Sequence, residues 1–154
     1  MKLFVQVTDQ PIPNELAKDI YSPADHHGGE VVFRGLVRNI NHGRTVTALS
    51  YDSFVPLAEQ TLRDIAAEIS EKWGDDLNIA AIHRTGRLEI GDCAVVVVVS
   101  SKHRQEAYWA SQYMIEQLKV RAPLWKKEHY IDGESEWLQG HALCGHSHDG
   151  HSHA

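Results

Sequence analysis

The 154-residue sequence has few cysteines, no long apolar run and no excess of positive charge, and each shortage closes off a class of function. Cys93 and Cys144 are its only two cysteines. They lie far apart, and neither belongs to a Cys-x-x-Cys motif, so neither a disulfide framework nor a thiol-disulfide relay is indicated. Cys93 opens a Val-rich run and reads as a buried strand residue, whereas Cys144 lies in a polar tail. The longest apolar run, Ala94 to Val99, falls far short of the roughly 20 residues that span a bilayer. The N-terminus alternates in the manner of a strand and lacks a signal peptide's apolar core and cleavage site, so a cytoplasmic protein without membrane association is expected. A formal net charge of −6 argues against general nucleic-acid binding. No internal repeat or glycine-rich phosphate loop is present.

What remains has ordinary globular composition, 42% hydrophobic and 23% charged, and enough chain to bury one core unaided. Residues 2 to 8 alternate as a strand. Asn14 to Tyr21, entered after Pro13, reads as a short helix. Glu30 to Val37 is a Val- and Phe-bearing strand. The polar loop from Arg38 to Arg44 leads into a second strand, Thr45 to Ser53, and the two strands are expected to pair around that loop as a hairpin. Pro56 to Trp73 carries Leu62, Ile65, Ala66, Ile69 and Trp73 at helical spacing. Leu77 to His83 is a strand, Arg84 to Arg87 a turn, and Cys93 to Ser100 a strand apolar on both faces.

Ser101 is positioned to cap a second long helix that runs to about Val120, because Pro123 prevents its continuation. Trp125 to Ile131 and Glu136 to Leu138 form a terminal hairpin around Asp132-Gly133. The expected fold is α+β, a single compact domain with a mostly antiparallel sheet and two long helices. It spans residues 1–140, followed by a disordered His-rich tail over 141–154.

The residues most suggestive of chemistry are cations. Residues 102 to 127 hold six Lys or Arg against two acids, with apolar Pro123, Leu124 and Trp125 among them. A local cationic excess broken by apolar residues suggests an anion pocket. Four groups stand out: Arg38 with Asn39 after a strand, His103 with Arg104 at a helix start, Lys119 at that helix's end, and Lys126 with Lys127 after the Pro123 turn. At 1.5 Å per residue, His103 and Lys119 stand about 25 Å apart. Either the pocket gathers at one helix end or a second subunit completes it. Each group also has a plain structural reading: Lys119 suits a helix C-terminus, Trp125 a core or interface, and His83 and Arg84 a strand end and turn.

Several segments together resemble the large, catalytic subunit of molybdopterin synthase, the MoaE family. They are Gly29-Glu30-Val31-Val32-Phe33-Arg34-Gly35-Leu36-Val37-Arg38-Asn39; Ile82-His83-Arg84-Thr85-Gly86-Arg87-Leu88 with Ile90-Gly91-Asp92; Val99-Ser100-Ser101-Lys102-His103-Arg104; and Leu118-Lys119 with Ala122-Pro123-Leu124-Trp125-Lys126-Lys127-Glu128. Each piece is weak alone; their order and spacing over about residues 28 to 138 make the resemblance specific.

The resemblance implies an α/β-hammerhead fold and a homodimer within a 2:2 heterotetramer. The partner it implies is a small ubiquitin-like sulfur carrier whose C-terminal Gly-Gly bears a thiocarboxylate. The substrate would be cyclic pyranopterin monophosphate, converted to the molybdopterin dithiolene by sulfur transfer. Lys119 and Lys126 would be catalytic. Val37, Arg38, Asn39, His103, Arg104, Lys119, Lys126, Lys127 and Glu128 would bind substrate, and neither a metal nor another cofactor is called for. The cyclic phosphate suits Arg38, His103 and Arg104. Lys119 and Lys126 would supply proton transfer and charge stabilisation, aided by amine pKa values lowered by cationic neighbours.

With the ending His151-Ser152-His153-Ala154, this sequence is expected to be the receiving subunit and not the Gly-Gly carrier. Lys127 stands where the family also uses Arg, which keeps the charge and loses the bidentate fork. The alternative to an enzyme is a non-catalytic module that binds a phosphorylated ligand or the carrier's tail. A third reading, metal handling, rests on the tail histidines alone.

Overall fold

A computed structural model describes residues 1–139. The expected domain limit at residue 140 and the 141–154 tail lie outside this range. The chain runs β1 (Lys2–Thr8), β2 (Gly29–Leu36), β3 (Ile40–Asn41), β4 (Arg44–Ser53), α1 (Val55–Trp73), β5 (Leu77–Arg84), β6 (Gly86–Glu89), β7 (Cys93–Ser101), α2 (Arg104–Arg121), β8 (Leu124–Tyr130), β9 (Gly133–Glu134) and β10 (Leu138–Gln139). Among the described residues, no helix is long and apolar enough to cross a membrane.

Two sheets organise these elements. The first has the order β1-β5-β7-β2, with β1 parallel to β5 and the other pairs antiparallel. β7, Cys-Ala followed by five valines, is buried along its whole length, as befits a central strand covered on both faces. Alternate residues of β5 and β7, Leu77, Ile79, Ala81, Val95, Val97 and Val99, pack against both helices. α1 meets them with the expected stripe of Leu62, Ile65, Ala66 and Ile69, and α2 with Ala107, Ala110, Met114 and Leu118. Removing each such large apolar side chain from water contributes about 1.5–3 kcal/mol. The helices are also clasped at the surface, where the Arg121 guanidinium donates to both carboxylate oxygens of Glu68 at 2.8 and 2.7 Å.

The other face of this sheet, through Ala80, Ile82, Val96 and Val98, packs against Ile12, Leu16 and Tyr21. The segment that supplies these residues is not the expected helix. Residues 14–21 hold a bend at 14–15 and a turn at 18–20, with the Ile20 and Tyr21 amides donating to the Ala17 carbonyl. So short a segment gains too few helical hydrogen bonds to offset nucleation.

The second sheet runs β10-β8-β4-β3, with β6 also on β4 and β9 on β8. This arrangement corrects the expected hairpin. β2 does not pair with β4; it forms the edge of the first sheet against β7, whereas β4 pairs with β8 and β6. The loop between them contains its own small hairpin. His42 (φ 51°) and Gly43 (φ 76°) form a two-residue turn with both residues in the left-handed region, and it returns β3 onto β4. The expected 84–87 turn instead yields β6, which pairs with β4. The terminal hairpin turns at Ile131-Asp132, and its return arm is split into β9 and β10. Ser101 does not cap α2. Its hydroxyl donates to the His103 carbonyl, and His103 itself is the N-cap.

Candidate active site

α2 ends where Pro123 denies the chain another amide donor. The Ala122 amide closes the last helical bond, to the Leu118 carbonyl, and the backbone extends at once into β8. This break puts Lys119, half-buried on the last turn, close to the start of β8, which carries Lys126.

β8 and β4 are antiparallel with Lys126 directly opposite Tyr51 and Glu128 opposite Leu49, so Lys126, Glu128 and Tyr51 rise from one face. The Tyr51 ring packs edge-on against the His83 imidazole, with centroids 4.9 Å apart. His83 lies near the end of β5, on the face that the helices cover. A contact between the two sheets thus joins the lysine-bearing end of β8 to the end of α2.

Burial sets the electrostatics of this junction most strongly at His83. His83 is 5% exposed. Its Nδ1 lies 2.8 Å from the Arg84 carbonyl oxygen, which can only accept, so Nδ1 carries the proton and Nε2 holds a lone pair. Burial pushes the His83 pKa down to about 4; the Arg84 carbonyl opposes the shift, and the positive charge of Lys119 adds to it. Burial and the nearby charge of Glu128 push the Tyr51 phenol up to about 12. Glu128 is itself buried, and its carboxylate accepts from the Asn41 side-chain amide. The junction therefore has two lysines, a neutral imidazole, a protonated phenol and a buried carboxylate, which are groups able to hold an anion and pass protons.

Val37 and Arg38 lie at the same end of the molecule. β2 and α2 run alongside, with Gly29 at one end against Arg104 and Leu36 at the other. Val37 is buried and exchanges backbone hydrogen bonds with Asp92 and Gly91 (3.0 and 2.9 Å). Arg38 and Asn39 follow it, exposed at the rim.

His103 and Arg104 stand at the opposite end of α2. An 18-residue helix is about 27 Å long, and among the described residues nothing within one chain brings them to the lysines. There they are seated by the Gly28-Gly29 pair. The Gly28 amide donates to the Lys102 carbonyl at 3.1 Å, and a Cβ on Gly29 would sit 2.7 Å from the Arg104 Cα.

Lys127 also turns away from the lysine pocket. It projects from the opposite face of β8, where its ammonium lies 3.5 Å from a Glu134 carboxylate oxygen and 5.5 Å from the centre of the Trp137 ring. Among the expected residues, the structure thus gathers Lys119, Lys126 and Glu128, with Val37, Arg38 and Asn39 at the same end. It sets His103, Arg104 and Lys127 apart. Tyr51 and His83 are additions to the site. In the sequence His83 reads only as a strand-end residue, and nothing there distinguishes Tyr51.

The chain is similar to known proteins over most of its length. Residues 7–121 match the family model described as MoaE protein. The molybdopterin synthase catalytic subunit of Synechococcus elongatus is 41% identical over 140 residues, covering 91% of this chain and 84% of that protein. The crystal structure of molybdopterin synthase from Staphylococcus aureus superimposes with a TM-score of 0.78 at 37% identity, covering 86% of this chain and 95% of that one. A complex of subunits 1 and 2 of molybdopterin-converting factor from Helicobacter pylori shares the fold, with a TM-score of 0.61 at 18% identity, covering 89% of this chain and 88% of that one.

Proposed function

The chain belongs to the MoaE protein family, and from that premise we propose that it is the catalytic subunit of molybdopterin synthase, acting as a sulfurtransferase in the cytoplasm. It receives the thiocarboxylated C-terminus of a small ubiquitin-like carrier and transfers the sulfur to cyclic pyranopterin monophosphate, building the dithiolene of molybdopterin. In each transfer the thiocarboxylate sulfur bonds to a pterin side-chain carbon as a C–O bond there breaks, and water then cleaves the acyl–sulfur bond, so the sulfur stays on the pterin and a carboxylate is left on the carrier.

One observation carries this reading. Lys119 acts on a buried His83, the His83 ring packs on Tyr51, and Tyr51 faces Lys126 across the β4–β8 ladder. Two lysines from different elements thus converge on a desolvated patch, where an ammonium stabilises developing negative charge far better than it would in water. Lys119 and Lys126 hold the thiocarboxylate and move protons. The uncharged His83 Nε2 is an acceptor beside them. Arg38, at the rim, meets the substrate's phosphate. No metal or further cofactor has a role in this scheme.

The non-catalytic alternative has no comparable support, because the Synechococcus elongatus relative is named a catalytic subunit.

His103 and Arg104 enter the site from a second copy of the chain. Exposed cations on a helix N-terminus oppose the helix dipole, and a bound phosphate would relieve that conflict. The edge strand β2, with Val32 and Leu36 more than half exposed, offers an apolar surface for homodimerisation. With one carrier per chain the assembly is a 2:2 heterotetramer. The reading is tested by incubating the full chain with a thiocarboxylated carrier and the cyclic pterin. Dithiolene formation that depends on both supports it; binding of both without sulfur transfer would leave only the binding-module reading.

A further inference from the structure

At the far end of the first sheet, two loops that are distant in sequence bring three metal-ligating side chains together. His26 Nε2 lies 2.8 and 2.9 Å from the two carboxylate oxygens of Asp76, and His27 Nε2 lies 2.8 Å from Asp76 Oδ1. The three residues can offer ligand atoms that all lie within 4.8 Å of one another. We propose that His26, His27 and Asp76 form a binding site for a first-row divalent metal ion of the Zn²⁺ class.

The site is built rather than incidental. The His27 side chain is only 1% exposed, and its Nδ1 lies 2.8 Å from the hydroxyl of Ser100, a wholly buried residue of β7. Fixing one imidazole nitrogen in this way aims the other, as outer-sphere partners do at histidine metal sites. His26 and Asp76 are more than half exposed, so an ion could enter and keep water in its remaining positions. Two imidazoles and one carboxylate suit Zn²⁺, Co²⁺ or Ni²⁺, and disfavour Mg²⁺ and Ca²⁺, which prefer oxygen ligands.

Bonds of about 2.0–2.2 Å in a tetrahedron separate ligand atoms by about 3.3 Å. Seating the ion in place of the shared protons therefore opens the present contacts by about half an ångström, a small movement for two exposed side chains. The site is distinct from the lysine pocket. Asp76 immediately precedes β5 and His83 lies near its other end, seven residues and about 23 Å along the strand.

The test uses full-length protein in which the tail histidines His141, His146, His148, His151 and His153 are replaced by Asn, titrated with Zn²⁺ by calorimetry at pH 7.5. One ion per chain is expected, with a rise in melting temperature on binding. His26→Asn and Asp76→Asn change exposed residues, so the apo fold should persist. Each should weaken binding by at least the roughly 10–100-fold that outer-sphere changes produce, and Ser100→Ala should fall within that range. Co²⁺ should bind with d–d bands and no thiolate charge-transfer band. Stoichiometric Zn²⁺ binding only when the tail histidines are present would overturn the proposal, as would unchanged affinity in both Asp76→Asn and His26→Asn.

Discussion

His83 links the chemistry of the pocket to the stability of the protein. Its folded-state pKa of about 4 lies below the value of about 6.5 for a free imidazole. Between these values the unfolded chain binds a proton that the folded chain refuses, so stability falls as the pH drops from about 6.5 to about 4. The shift from 6.5 to about 4 corresponds to a loss on the order of 3 kcal/mol from this group. His83→Gln keeps a hydrogen-bonding side chain but cannot titrate. Its urea-unfolding free energy should change less between pH 7 and pH 5 than that of the parent, and an equal change in both proteins would show that acid sensitivity arises elsewhere. Lys119 makes a separable prediction at the same scale. Lys119→Ala loses a favourable helix-end charge, about 0.3–1 kcal/mol, and should fold normally. If Lys119 moves protons in the reaction, sulfur transfer should fall by roughly 100-fold or more. Near-parent turnover with the carrier bound would reduce Lys119 to a helix-end charge.

Among the elements, the close approach of β2 to the start of α2 fixes where His103 and Arg104 sit. A Cβ on Gly29 would meet the Arg104 Cα at 2.7 Å and its amide nitrogen at 3.0 Å, both rigid backbone, whereas one on Gly28 would meet only the Lys102 carbonyl, at 3.1 Å. Gly29→Ala should therefore cost about 1–3 kcal/mol and Gly28→Ala less. Equal midpoints in urea for both variants and the parent would refute the close-approach argument. How far such constraints could be read in advance depended on the element. The α1 stripe and the buried β7 run were legible because periodicity and apolar length are local properties. Strand pairing was not. Alternation in Glu30 to Val37 and Thr45 to Ser53 marks each as a strand with one buried face but does not say which partner takes its edge, so the expected β2–β4 hairpin was wrong. The cations Lys119 and Lys126 stood out as a charge excess in an acidic chain. Tyr51 and His83 did not, because burial of a polar residue follows from how two sheets meet. The helical rise alone did show that His103 and Lys119 cannot share one small site within a chain.

At the scale of the whole molecule, that separation becomes a statement about assembly. One chain places Lys119, Lys126 and Arg38 at one end of α2 and His103 with Arg104 at the other. A phosphorylated substrate that needs both groups must lie where two chains meet. The exposed residues of edge strand β2, Val32 at 52% and Leu36 at 54%, give the second copy an apolar surface. The protein should therefore run as a dimer in light scattering at working concentration. Its two pockets should each take lysines from one subunit and His103-Arg104 from the other. Lys119→Ala and Arg104→Ala homodimers should each be inactive, since every pocket in them lacks one half. After subunit exchange, a heterodimer of the two has one pocket with both defects and one with neither. Random mixing in equal amounts gives heterodimers half of the population, so activity should return to about a quarter of the parent's. Recovery near that level establishes the shared pocket. A monomeric mass, or exchange proven by mass spectrometry without recovery, would remove His103 and Arg104 from the site and leave Arg38 as its anion-binding residue.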